Sequence, residues 1–272
     1  KKNFWFGEIQ GGLGDGEKTR YLGSTKLFYY SPKGSINVIG NTNNTGDVPF
    51  TFRDYLNFTG GFRNFNQRGG TSFNIADSGL SFLTTQNNRA SEISTNFGAA
   101  NFSYEASDAW DISGFALFSD NSTDFIQRSL RNYIATEATE VNTETSEQRN
   151  QLGMVKFSSI YKTNDKLQLD YDILAKKSEQ SEMTDALSIF TDSGNVVTNP
   201  ITEEKDNNPF SLNQNLNAYY TLDEKNIFAG FVQHLYQKED PFYSATVQQQ
   251  PFTQILPLDT NQSDFDINQD KM

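Results

Sequence analysis

Short stretches of alternating apolar and polar residues recur along the 272-residue chain, joined in pairs by brief polar turns. An alternation of period two is the mark of a β-strand with two unlike faces. The first spans about Phe4 to Gly14, with Trp5, Gly7, Ile9, Gly11 and Leu13 on one side and Glu8, Gln10 and Gly12 on the other. Gly14-Asp15-Gly16-Glu17 signals a hairpin, and a second strand follows from about Tyr21 to Ser31. Ser31-Pro32-Lys33-Gly34 turns the chain, with proline where no ladder donor is needed, into a third strand from about Ser35 to Asn43.

Three further turns repeat the form: Ser107-Asp108-Ala109-Trp110, Thr163-Asn164-Asp165-Lys166 and Leu222-Asp223-Glu224-Lys225. Each is flanked by strands, from about Ile93 to Glu105 and from Trp110, on either side of Thr163 to Lys166, and around Leu212 to Leu222 and Asn226 to Tyr236. Strand seven alternates most clearly, with Leu167, Leu169, Tyr171, Ile173 and Ala175 against Gln168, Asp170, Asp172 and Lys176. Asp108, Asp165 and Asp223 recur at spacings of 57 and 58, a weak internal repeat. Between these units lie polar stretches that read as long loops: roughly fifty residues after strand three, about Asn121 to Asn150, and about Ser178 to Phe210. Within the first, residues 49–58 suit a short helix ending at Gly60-Gly61.

The order strand, tight turn, strand, long loop puts the short turns on one side and the long loops on the other. That is the sequence form of an antiparallel transmembrane β-barrel, with short periplasmic turns and long extracellular loops. About nine strands and the start of a tenth near Phe265-Asp266-Ile267 cannot close such a barrel, so the chain reads as an internal piece of a longer protein, one partial barrel domain over residues 1–272.

Composition narrows this further. Mean hydropathy is -0.64, and no run approaches the eighteen or so apolar residues of a spanning helix. Yet there are 23 Phe and 12 Tyr, which suits aromatic girdles and does not suit a disordered chain. The net charge of -12 opposes nucleic acid as a partner, and the lack of cysteine removes disulfides, thiolate metal sites and thiol nucleophiles. Residues 1–6 carry no apolar stretch of the signal-peptide kind after the lysines.

Enzyme chemistry finds little footing. His234 is the single histidine, no G-x-S-x-G is present, and a lumen-facing or girdle position accounts for His234 better than a catalytic one. Asp264, Asp266, Asn268 and Asp270 have the spacing of a calcium loop, but Gln269 stands where that loop needs glycine, so no metal is expected. Gly11-Gly12-Leu13-Gly14-Asp15-Gly16 lacks the lysine and βαβ setting of a phosphate loop. Glu203-Glu204 and Glu239-Asp240 fall in expected loops, where solvated charge is the default reading. No enzyme and no cofactor are expected. Phe52, Arg53, Tyr55, Phe58, Arg63 and Phe65 of the first long stretch are the ligand-binding candidates, because aromatics stack on rings and arginine grips carboxylates. The competing reading packs them on the barrel rim. Trp5, Tyr29, Trp110 and Tyr171 are expected at the membrane–water interface.

The opening Lys1-Lys2-Asn3-Phe4-Trp5-Phe6-Gly7-Glu8-Ile9 with Gly11-Gly12-Leu13-Gly14 resembles the first barrel strand of TonB-dependent receptors. Residues 36–44, followed by Phe52-Arg53-Asp54-Tyr55 and Gly60-Gly61, are similar to the third strand and first long loop of that family, and 265–270 to another strand start. The likeness runs the length of the chain and covers less than half of such a receptor. It implies a barrel of about 22 strands in the bacterial outer membrane, occluded by a plug domain and energised by the TonB complex. It also implies uptake of a small-molecule, metal-chelate or glycan ligand. A plain outer-membrane barrel or adhesin, and a secreted carbohydrate-binding β-sandwich, are the alternatives. The acidic stretches argue against a polyanionic ligand.

Overall fold

A computed structural model describes residues 3–47 and 90–247, and the backbone of 263–268. The described chain is all β. Its segments are β1 (Phe4–Gly14), β2 (Arg20–Ser31), β3 (Gly34–Asn43), β4 (Ala90–Ser107), β5 (Trp110–Tyr133) and β6 (Ala138–Asn164). They continue as β7 (Leu167–Asp192), β8 (Asn195–Asn207), β9 (Phe210–Thr221), β10 (Ile227–Lys238), β11 (Pro241–Val247) and β12 (Ser263–Asn268). All twelve belong to one antiparallel sheet, in which β1 to β8 pair in chain order, β8 then pairs β11 and β11 pairs β12. Among the described residues the sheet is open: β1 and β12 stand at the two ends of its order and are not paired with each other.

The apparent branch at β7 is a single strand interrupted. β7 carries β8 on its far half, from Asp192 opposite Asn195 to Gln180 opposite Asn207. It carries β9 on its near half, starting with Lys177 opposite Phe210. Every step on one side is matched on the other, so β8 and β9 are one strand that Asn208-Pro209 breaks without a slip. Proline has no N–H to give to the ladder, and its carbonyl accepts from the Ser178 amide at 3.0 Å. β10 and β11 likewise keep one register, with Lys238 opposite Phe210 and Pro241 opposite Asn207. Twelve segments with two such mergers make ten strands, matching the nine and the start of a tenth expected.

Four tight connections share one side: β2–β3, β4–β5, β6–β7 and β9–β10. Each is tied by the side chain of an early residue in the turn. The Gly34 amide donates to Ser31 Oγ (3.0 Å) and the Ala109 amide to Ser107 Oγ (3.3 Å). Asn164 Oδ1 accepts from Lys166 and Leu167, and Asp223 Oδ1 from Lys225 and Asn226. Short polar side chains closing their own turn stand in for ladder bonds. In the second and third turns the tie comes from Ser107 and Asn164, one residue before the repeating aspartates.

On the opposite side two expected loops are not loops. β5 runs on to Tyr133 and β6 starts at Ala138, so the stretch 121–150 is a tall hairpin, with Glu137 in the left-handed region (φ 53°) at its tip. β7 and β8 likewise turn through Ser193 and Gly194, making a hairpin of 178–210. Glu203-Glu204 therefore lie in a strand. The sequence alternation fades there because both faces are polar, yet Thr, Ser and Val still favour the extended backbone. The expected helix at 49–58 lies outside the described residues.

The two faces of the sheet are unlike. One face carries every second residue of Trp5–Leu13, Trp110–Phe118, Gly153–Tyr161 and Leu167–Ala175, with their partners in the other strands. On this face stand Ile9, Leu27, Ile36, Val38, Phe102, Phe118, Val155, Leu216 and Val232, all exposed, and the named segments hold no Asp, Glu, Lys or Arg on it until Asp120 and Lys177 at its upper edge. The other face carries Glu8, Lys26, Asn37, Asn101, Lys156, Asp170 and Asp172. In a single-layer sheet only neighbouring side chains can bury a residue, so the face where they converge is concave. Leu152 (0% exposed) and Met154 (1%) lie on the charged face, while Val155 (56%) and Phe118 (51%) lie on the apolar one. The inward face is thus polar and concave, the outward face apolar and convex.

The strands are also staggered. A row of direct partners runs Tyr29, Ile36, Phe102, Gly114, Phe157, Ile173, Gln214. It starts two residues from the end of β2 at Ser31 and ends seven from the end of β9 at Thr221. Five residues of drift over six strand spacings correspond to a tilt on the order of 30°.

Candidate binding site

The outward band is about nine residues tall, as from Leu167 to Ala175, and ends in charge. Lys177 follows Ala175 on β7, and Asp120 follows Phe118 on β5. Arg149 grips Asp120 with both ends of its guanidinium, Nε to Oδ1 and Nη2 to Oδ2 at 3.1 Å each. That guanidinium holds the Asp120 carboxyl below its ordinary value. Trp5, Tyr29, Trp110 and Tyr171 all stand on the outward rows. Trp5 packs at a tilt of 34° against Tyr29 with centroids 4.4 Å apart, and Trp110 Nε1 donates to Ser159 Oγ at 2.9 Å. Tyr171 sits further from its turn, donating to Gln214 Oε1 at 2.9 Å, and Gln214 Nε2 lies 3.3 Å from His234 Nδ1. The polar groups that interrupt the outward band satisfy one another. His234 is among them, on the outward face.

Beyond the band the tall hairpins form an inward wall. Successive rungs read Asn121, Asn150, Gln180, Asn207, then Thr123, Gln148, Glu182, Lys205, Tyr243, then Phe125, Ser146, Thr184, Glu203, and then Gln127, Glu144, Ala186. This wall encloses a concavity of about 890 Å³ lined by Phe125, Gln127, Glu144, Ser146, Gln148 and Glu182. Ile126 and Arg128, from the outward row of β5, complete its rim. Lys205 is shared, 3.7 Å from Glu182 and 3.6 Å from Glu203. Higher up, Tyr133 Oη donates to Glu140 Oε2 (2.8 Å), Ser188 Oγ to Oε1 (2.9 Å) and Arg131 Nη1 to Oε2 (2.9 Å). The tyrosine bond first, and the serine and arginine after it, keep Glu140 below its ordinary value. No cation faces Glu144 in the ladder; its partners there are Gln127 and Ala186.

The inward face also holds orphans. Buried side-chain atoms with no hydrogen-bond partner are the Oδ1 of Asn37, Asn142, Asn199, Asn207 and Asn213 and the Oγ of Ser119 and Ser178. By register all seven lie on the inward face. Ser119 is 1% exposed and Ser178 3%, and both flank Leu152 at the foot of the wall. All are oxygens. The five asparagine oxygens only accept, while the two serine hydroxyls can also donate, and a buried acceptor without a donor costs about 1–3 kcal/mol.

The ligand-binding candidates Phe52, Arg53, Tyr55, Phe58, Arg63 and Phe65 lie outside the described residues. In the sequence Glu144 and Glu182 count only as loop charge that disfavours a polyanion, and Gln148 and Phe125 do not stand out, because their segments read as loops. The available signal was the run of Glu140, Asn142, Glu144, Ser146, Gln148 and Asn150 at every second position, a polar face inside a Thr-rich extended stretch. Among the described residues no group of three or more acidic or histidine side chains is arranged to hold a metal. No family model matches the sequence, and no curated protein matches it.

Proposed function

We propose that the chain is barrel wall from an outer-membrane receptor of the TonB-dependent kind, importing a nutrient ligand. One observation carries the membrane reading: a tilted, convex face with a charge-free band of about nine residues, bounded by charge above. A transmembrane strand needs about 9–11 residues, and lipid-facing residues of such barrels are apolar while the lumen side is polar. The soluble sandwich would need a second sheet packed about 10 Å over the apolar face; the described residues form one sheet.

The turns then face the periplasm and the tall hairpins the exterior. β6, at 27 residues, is about 90 Å of extended chain, so most of it stands in water above the bilayer. The concave wall takes the ligand, a small molecule, metal chelate or glycan in the wider family reading. A plug domain and the TonB complex supply gating and energy. No catalysis is part of this reading.

Two experiments test it. Unboiled protein from membranes should migrate differently in detergent gels from boiled protein; identical migration together with a folded, detergent-free soluble form would overturn the membrane reading. Ligand uptake should stop when TonB is deleted. Uptake that persists, or surface adhesion without uptake, favours the plain barrel or adhesin to which tall exposed hairpins are also suited.

A further inference from the structure

We propose that the inward wall above the band binds an organic polycation, a ligand carrying two or more ammonium or guanidinium groups, in the concavity between Phe125, Gln127, Glu144, Gln148 and Glu182. This names a ligand class for the uptake reading and rests on that reading only for transport, not for binding. Three independent observations converge on it.

The first is supply and demand of protons. Among the described residues five orphaned buried atoms on the inward face are asparagine Oδ1 oxygens, which only accept, and one of them, Asn207 Oδ1, sits on the lowest rung of this wall. Asn142 and Asn199 add two more higher up, on either side of Ser188. A ligand that fits must bring N–H donors in number. Polyammonium groups bring donors and no acceptors.

The second is charge. Residues 120–151 and 178–207 hold thirteen acidic side chains and four basic ones (Arg128, Arg131, Arg149, Lys205), so -9 of the chain's -12 sits in the two tall hairpins. Three of the four cations are already engaged: Arg149 on Asp120, Arg131 on Glu140, and Lys205 between Glu182 and Glu203. Glu144 has no cation opposite it. On the inward face Glu140, Glu144, Glu182 and Glu203 outnumber Arg131 and Lys205, and a concave wall of net negative charge concentrates counter-charged ligands before contact.

The third is shape and surface. The concavity, about 890 Å³, is within the ordinary range for a small-ligand site of about 300–1,000 Å³. Phe125 lines the concavity together with the two carboxylates, and an aromatic ring in such a site suits a cation over its π-cloud. A polyanion would meet Glu144 and Glu182 there, opposed by Arg128 alone among the lining cations.

The test is calorimetric titration of the full-length protein in detergent micelles with spermidine and, separately, trilysine. Saturable binding of either, weakening as salt rises, is expected; spermidine alone identifies a polyamine site and trilysine alone a basic-peptide site. Fully N-acetylated spermidine should not bind. Glu144→Gln and Glu182→Gln keep shape and remove charge, and each should weaken binding about tenfold, whereas Glu224→Gln at the turn side should not. Absence of saturable binding by protein with native circular dichroism, or binding unchanged in the double variant E144Q/E182Q, overturns the proposal. The titration works equally for a chain that folds without detergent, so its failure and failure of the membrane reading are separate results.

Discussion

Arg149 and Asp120 meet diagonally across β5 and β6 through two bonds of 3.1 Å, Asp120 one outward position above Phe118 and Arg149 two above Gly153. The pair marks the level at which the outward face changes from apolar to charged. Since the Arg149 side chain is 56% exposed, solvent screens it, and Asp120→Asn should cost about 0.5 kcal/mol or less. The cost should shrink in high salt. Urea-gradient gels of the two proteins at low and high ionic strength read both effects.

Charge placed within the band should behave very differently. Ala116 lies mid-band on the outward face, opposite Ala100 and Val155. Ala116→Arg should destabilise the protein in lipid vesicles by about 2–4 kcal/mol. Gln10→Arg, on the inward face, should be close to neutral. Reversible unfolding in vesicles gives the comparison, and equal small costs would contradict the assignment of faces.

Gly114 sits beneath a ring. A Cβ there would lie 2.6 Å from the Lys156 carbonyl oxygen and 2.9 Å from Phe102 Cε1, and Phe102 is its direct partner on β4. A phenylalanine lying over a cross-strand glycine covers backbone that the glycine leaves bare. Gly114→Ala should therefore cost about 1–3 kcal/mol through overpacking. In combination with Phe102→Ala, the losses should fall short of additive, as a double-mutant cycle on thermal stability would measure.

The β9–β10 turn should loosen in acid. Asp223 is held below its ordinary value of 3.8, chiefly by the Asn226 side-chain amide and then by the Lys225 backbone amide. A depressed carboxyl contributes stability that is full above its ordinary range and is lost as pH falls through the lowered value. Amide exchange at Lys225 and Asn226 should be pH-independent, after correction for intrinsic rates, down to about 4, and should accelerate below that. Asp223→Ala should remove the protection at every pH.

Where one face of the sheet is apolar, the strands were legible in the sequence. β1 matched from Phe4 to Gly14, and the outward set Trp5, Gly7, Ile9, Gly11 and Leu13 was assigned to one side from alternation alone. The tall hairpins were not legible, because period-two patterning reports a boundary between oil and water. From Asp120 to Gln151 both faces carry polar side chains, so no such boundary is printed in the residues. The site was lost with them, since Glu144 and Glu182 share a wall only through the 5–6–7 register. His234 shows the same limit: with apolar residues on both sides of β10, only its pairing with Gln214 fixes the face.

The break at Asn208-Pro209 and the neighbouring break at Glu239-Asp240 fall at one level, beside Ser178, just past the end of the outward band. Two adjacent strands are interrupted there, with Glu239 keeping a bridge and Pro209 accepting from Ser178, and both resume in unchanged register. Mechanically this is a crease: the upper leaf can bend against the lower and return without any strand having to find a new partner. The upper leaf belongs to the wall that bears Glu182, Glu203 and Lys205, so a load applied there is taken up at the crease before it reaches the rungs below.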